Sequence, residues 1–128
     1  ASYLVADDTT KVAAVVDPRR DIGEYLRDAE AAGLTIRWVV ETHFHADFLS
    51  GHLELAAATG AEIIYGAAAS PEFPFRAVHD GERLALGEGD DGVVLEFRAT
   101  PGHTPESISV VIWEHGTDAE PFGWRRWA

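Results

Sequence analysis

The chain contains no cysteine. No disulfide can support its fold, no thiolate can bind a metal, and no cysteine can serve as a nucleophile. Any metal must therefore be held by His, Asp, Glu or water, and any sulfur chemistry must use sulfur brought by a substrate. Methionine is absent too, and the sequence opens at Ala1 on the strand-like SYLV. Two expectations cover that start: a processed initiator or a missing upstream piece. Positive charge is scarce, with 10 Lys and Arg against 22 Asp and Glu and a formal net charge of -12. Nucleic-acid phosphates and anionic membranes both require a basic face, so neither partner is expected. Acidity of this kind reads as solubility. No run approaches the length of a membrane span, and no signal-peptide pattern is present, so a soluble, cytoplasmic protein is expected.

A length of 128 residues with 46% hydrophobic content suits one domain with its own core. Residues 2–5 (SYLV) and 12–16 (VAAVV) read as strands of a hairpin around the turn-rich ADDTTK. Ile22, Tyr25, Leu26 and Ala29 mark one helical face, with Asp21 and Glu24 spaced as a capping box and Gly33 placed for a left-handed C-cap. TIRWVVE (35–41) reads as a buried strand, SGHLELAAATG (50–60) as a helix closed by Gly60, and EIIYG (62–66) as a strand. HDGERLALG reads as a strand–turn–strand edge, followed by strands at 92–100 and 107–114. Helices covering a sheet in an α/β or α+β layer arrangement follow from that order. Residues 115–128 form an atypical tail without strand or helix period, in which Trp124 and Trp127 flank Arg125 and Arg126.

The chemistry concentrates after strand 35–41, in THFHADF (42–48). In an extended stretch, residues i and i+2 point the same way, so His43, His45 and Asp47 can face one point. Imidazole and carboxylate suit iron, zinc or manganese, and ligand sites of open α/β sheets lie beyond strand C-terminal ends. A second loop, TPGHTPES, places His103 directly after strand 92–100, where Pro101 and Gly102 bend the chain and Thr104 and Ser107 can orient neighbours. His52, His79 and His115 carry no such context and are read as packing or hydrogen-bonding residues.

THFHADF with PGHTPESIS resembles the metallo-β-lactamase superfamily, whose motif is T-H-x-H-x-D-H. VVDPRRDIGEYL, ETHFHADFLSGHLELA and ATPGHTPESISVVI are similar to its persulfide dioxygenase branch, some of whose bacterial members carry rhodanese domains. The likeness runs from about Ala1 to Ile112. It implies an αββα sandwich, of which this chain supplies largely the N-terminal half. It also implies one non-heme Fe(II) held by His43 and His103, with zinc as the alternative metal. His45 and Asp47 are implied as catalytic motif residues beside the metal, and Asp17 as structural. The reaction implied is oxidation of a low-molecular-weight thiol persulfide, such as glutathione persulfide, by dioxygen to sulfite. Phe48 departs from the superfamily pattern, because dinuclear hydrolases place a second-metal histidine there and a phenyl ring cannot coordinate an ion. The branch's third ligand, an aspartate in a TGD-type stretch, has no counterpart, and Asp118 in EHGTDAEP is not assigned to that role. The chain is therefore expected to be a single but incomplete domain over residues 1–128, with an exposed apolar face that favours a homodimer. A thioester hydrolase of glyoxalase II type and an inactive fragment are the alternatives.

Overall fold

The structure, a computed structural model, describes residues 2–43, 51–69, 71, 73–102 and 104–121. Strands β1 (Tyr3–Ala6) and β2 (Val12–Val16) form the expected antiparallel hairpin, with Tyr3 opposite Val16 and Ala6 opposite Ala13. Asp7 organises its turn. Oδ1 accepts the amides of Thr9 and Thr10 at 2.9 and 3.0 Å, and Oδ2 accepts the amide of Val93 at 2.9 Å. These bonds, Val93 first, hold the Asp7 carboxyl below its ordinary value. One buried carboxylate thus ties the first hairpin to the far sheet.

Helix α1 (Gly23–Ala32) carries β2 into β3 (Thr35–Val40), and α2 (His52–Thr59) lies between β3 and β4 (Glu62–Gly66). With β5 (Arg76–Val78) these strands make a five-stranded sheet in the order β1-β2-β3-β4-β5, parallel from β2 to β5. Gly33 and Gly60 close the helices at φ 69 and 74 degrees, conformations that L side chains adopt at a cost. The expected capping box is not formed. Ile22 already has helical dihedrals, so Asp21 sits one residue too early and its Oδ1 accepts the amide of Gly23 at 3.0 Å.

Strands β6 (Arg83–Ala85), β7 (Val94–Ala99) and β8 (Ile108–Trp113) form a second, antiparallel sheet, with a 3-10 turn at Gly89–Asp91 before β7. The strand–turn–strand edge expected over residues 79–87 holds one strand, β6; β5 comes before it and was not expected. β5 belongs to the first sheet and β6 to the second, so the turn at Asp80–Gly81 is where the chain changes layer. Alternation within β2 shows the layering. Ala13 and Val15 pack with Tyr25, Ala29, Val39 and Leu55 on the helix side. Ala14 and Val16 pack with Ile64, Leu84, Leu95 and Phe97 between the sheets. A strand buried on both faces has no polar alternation, which is why VAAVV is a continuous apolar run. Among the described residues no helix is long and apolar enough to cross a membrane.

Candidate metal centre

Parallel pairing puts the C-terminal ends of β2, β3 and β4 on one side of the sheet. β2 runs into Asp17, β3 into Glu41-Thr42-His43. Asp17 occupies the left-handed region at φ 50 degrees, tolerated by Asp more than by most residues but still strained by about 1–3 kcal/mol. The conformation turns its carboxylate onto the neighbouring strand end. Oδ1 accepts the amide of Thr42 at 2.8 Å, and Oδ2 accepts the Thr42 hydroxyl at 2.6 Å.

That second bond decides the state of His43. The Thr42 hydroxyl has one hydrogen, and the Asp17 carboxylate takes it. The 3.0 Å contact between Thr42 Oγ1 and His43 Nδ1 must then run from Nδ1–H to the hydroxyl oxygen. The neutral ring consequently carries its lone pair on Nε2, the form in which an imidazole ligates a metal through that atom. The relay Asp17–Thr42–His43 therefore fits a cation at His43 without rearrangement.

The far end of the motif loop is held by the same β2 corner. The Gly51 amide donates to the Pro18 carbonyl at 3.4 Å, and a Cβ on Gly51 would stand 2.1 Å from the Arg19 carbonyl oxygen and 2.7 Å from Ile22 Cγ2. Only glycine lets the chain pass there. The second histidine-bearing loop meets the first through backbone: Ile108 N donates to Thr42 O at 2.7 Å. Gly66, ending β4, packs so closely on this loop that a Cβ would lie 2.4 Å from the Glu106 carbonyl oxygen. Thr104 and Ser107 face each other at 2.5 Å between their hydroxyls, and Ser107 O accepts the Thr100 amide at 2.9 Å, closing the loop at its base.

The surroundings are negative. Burial pushes the Tyr65 phenol above its ordinary value, and the charges of Glu41, Asp17 and Glu106 push it further. Glu41 is 0% and Glu106 7% exposed, so their fields act through protein rather than bulk water. A low-dielectric corner with several carboxylates favours a bound cation.

Of the residues singled out in the sequence, His43 sits at this corner. His45, Asp47, Phe48 and His103 lie outside the described residues, and among the described ones no group of three or more His, Asp or Glu forms a metal cage. His52 packs on Phe73, His79 stands 3.7 Å from Glu82, and His115 contacts the Asp91 carbonyl. Asp118 is engaged with the His115 amide at 3.1 Å. A cavity of about 680 Å³ along β1, lined among others by Tyr3, Asp7, Val93 and His115, includes none of Asp17, Thr42 or His43.

A sequence profile of the metallo-beta-lactamase superfamily matches residues 1–119. The chain belongs to this superfamily. Metallo-β-lactamase superfamily members are metal-dependent enzymes, mostly hydrolases, that bind divalent zinc or iron. The chain is 40% identical over 105 residues to a hydroxyacylglutathione hydrolase of Rhodospirillum rubrum, covering 80% of this chain and 39% of that protein. It is 29% identical over 118 residues to the mitochondrial persulfide dioxygenase ETHE1 of Bos taurus, covering 89% and 44%. A metallo-beta-lactamase structure from Staphylococcus aureus superposes with a TM-score of 0.82 at 34% identity, covering 94% of this chain and 37% of that one. ETHE1 of Myxococcus xanthus superposes at 0.76 and 28%, covering 87% and 48%. The chain thus spans less than half the length of each of these relatives. The helix layer and two facing sheets described above are the metallo-β-lactamase architecture expected from the motifs.

Linear reading missed the buried positions of Glu41 and Gly51, and it took Asp17 as structural without its bonds to Thr42. An Asp-Pro pair directly after a β-run was the available signal for Asp17, because Asp is enriched in the left-handed region. Nothing local marked Glu41, which looks like an ordinary polar strand end until β4 covers it.

Proposed function

We propose that the chain carries the metal-binding part of a mononuclear iron persulfide dioxygenase. Phe48 is the observation that carries this reading. A metallo-β-lactamase motif that ends in phenylalanine lacks the histidine that a dinuclear hydrolase uses for its second ion. His43, in the tautomer fixed by Thr42 and Asp17, and His103 would hold the ion. The third ligand is a carboxylate that the motif pattern does not assign within these residues. Bound iron(II) of this kind supplies coordination positions at which a sulfur and dioxygen can react side by side.

Around that chemistry the chain's residues have definable work. Asp17 and Thr42 hold the His43 ring, so its orientation is set before metal or substrate arrives. His45 and Asp47 are assigned to water and proton handling. The overall reaction consumes a persulfide, dioxygen and water and yields the thiol and sulfite. The S–S bond breaks, the terminal sulfur is oxidised as dioxygen is reduced, and water contributes the third oxygen. The absence of cysteine leaves no thiol within these 128 residues to compete for oxidation.

The likeness to hydroxyacylglutathione hydrolase, at 40% identity, supports a thioester hydrolase as the second reading. Oxygen electrode traces separate the two. The iron-loaded protein given glutathione persulfide is expected to consume oxygen and form sulfite. Thiol release from an acylglutathione with no oxygen uptake from the persulfide would overturn the dioxygenase in favour of the hydrolase.

A further inference from the structure

We infer that Glu41 and His52 form a buried clasp that positions the metal-motif loop, acting on His43 through the two ends of that loop. The inference rests on the metal-binding reading of His43. Glu41 is the last residue before Thr42-His43 and is wholly buried, its backbone continuing the β3–β4 pairing through Glu41 N to Ile64 O at 2.9 Å. His52 is the first residue of α2, on the far side of the loop, and its Nδ1 lies 3.4 Å from Glu41 Oε1. The His52 ring is fixed from two further directions, by Phe73 at 5.2 Å between centroids and by the edge-on ring of Tyr65 at 6.3 Å.

The residues that enter and leave the motif are therefore in contact with each other. Fixing Glu41 and His52 to each other narrows the arrangements open to His43, which follows Glu41 by two residues. Asp17 on Thr42 and Pro18 on Gly51 tie the same two ends to β2. The clasp ties them to one another, on the side where β4 and its aromatic neighbours lie. A carboxylate taken wholly out of water gains little net stability from such a pair, and an apolar pair of similar volume commonly does as well or better. Its placement at the feet of the metal loop fits a geometric role more closely than a stabilising one. Glu41 and His52 are positioning residues, not ligands.

The test compares metal affinity with fold stability in the chain as it stands, titrating Co(II) into wild type, Glu41→Gln, His52→Leu, His52→Gln and the double variant Glu41→Met/His52→Leu. The single variants Glu41→Gln and His52→Leu are expected to bind about 10–100-fold more weakly, as removal of an orienting partner usually does. His52→Gln, which keeps a polar group facing Glu41, should recover part of the loss. The double variant should melt close to wild type without metal yet still bind at least about 10-fold more weakly. Binding equal to wild type in all variants would overturn the clasp while leaving the metal site intact. So would losses that merely follow each variant's unfolded fraction. A wild-type chain that takes up no Co(II) would instead overturn the metal reading, and the clasp with it.

Discussion

Asp17→Asn is the substitution that separates hydrogen-bond polarity from shape at this site. The two residues are nearly isosteric, and asparagine also tolerates the left-handed backbone found at φ 50 degrees. The Thr42 amide cannot reverse, so the new side chain must keep its carbonyl oxygen toward Thr42 N, replacing the 2.8 Å bond. Its NH2 then faces the Thr42 hydroxyl where Oδ2 had accepted at 2.6 Å. The hydroxyl becomes an acceptor there, and its own hydrogen turns to His43 Nδ1. The His43 proton accordingly moves to Nε2, and the lone pair leaves the nitrogen that the wild type presents to a metal. Turning two charge-assisted bonds into neutral ones costs about 1–2 kcal/mol of stability, a fall of several degrees in melting temperature. Metal affinity should drop far more than that modest change in the folded fraction, by about 10–100-fold. Ring-nitrogen NMR shifts of His43 in the metal-free protein read the tautomer directly, and Co(II) titration reads the affinity. An Asp17→Asn protein that keeps its proton on Nδ1, or binds Co(II) like wild type, would refute the relay.

Other substitutions probe the frame around the site. Gly51→Ala pushes a methyl to within 2.1 Å of the Arg19 carbonyl oxygen and should destabilise the fold by about 1–3 kcal/mol or more, measurable by urea unfolding. Phe97→Ala empties the space between the sheets at a residue 1% exposed, and about 3–5 kcal/mol should be lost in the same assay. Asp7 provides a pH test. Folding lowers its pKa below the ordinary 3.8, so the unfolded chain takes up this proton first as pH falls. Its stabilisation is complete above that ordinary value and disappears as pH drops through the lower folded one. Asp7→Asn should lose about 1–3 kcal/mol at neutral pH, and its unfolding free energy should fall less steeply than that of wild type under acid. Parallel acid limbs in the two proteins would contradict the assignment.

Local patterns carried much of this architecture. The VAAVV and TIRWVV runs, the apolar stripe of α1 and the glycines at 33 and 60 each announce their element because the cause lies within a few residues. The THFHADF stretch stands out as candidate metal chemistry because His and Asp alternate directly after a buried strand; of its candidate donors, His43 is among the described residues. What the sequence concealed depends on neighbours in space. Asp17 reaches Thr42 across 25 positions because β2 and β3 pair in parallel, and no window around either residue contains that fact. β5, directly after the Phe73-Pro74-Phe75 stretch, gave no strand signal of its own, and the turn after it joins two layers rather than two strands of one edge. The capping box failed by one residue, within the usual uncertainty of helix starts, because the backbone at Ile22 had already become helical. Glu41 stays hidden for the same reason as Asp17: burial by β4 and α2 is a property of the packed chain.

The proposed chemistry turns on one metal ion per chain, held in part by His43. Elemental analysis of the purified protein, with His43→Ala measured beside it, probes that requirement without an intermediate assumption. Close to one equivalent of iron is expected after anaerobic loading in the wild type, with a large loss in the variant. Two equivalents of zinc, or a metal content that His43→Ala leaves unchanged, would contradict it.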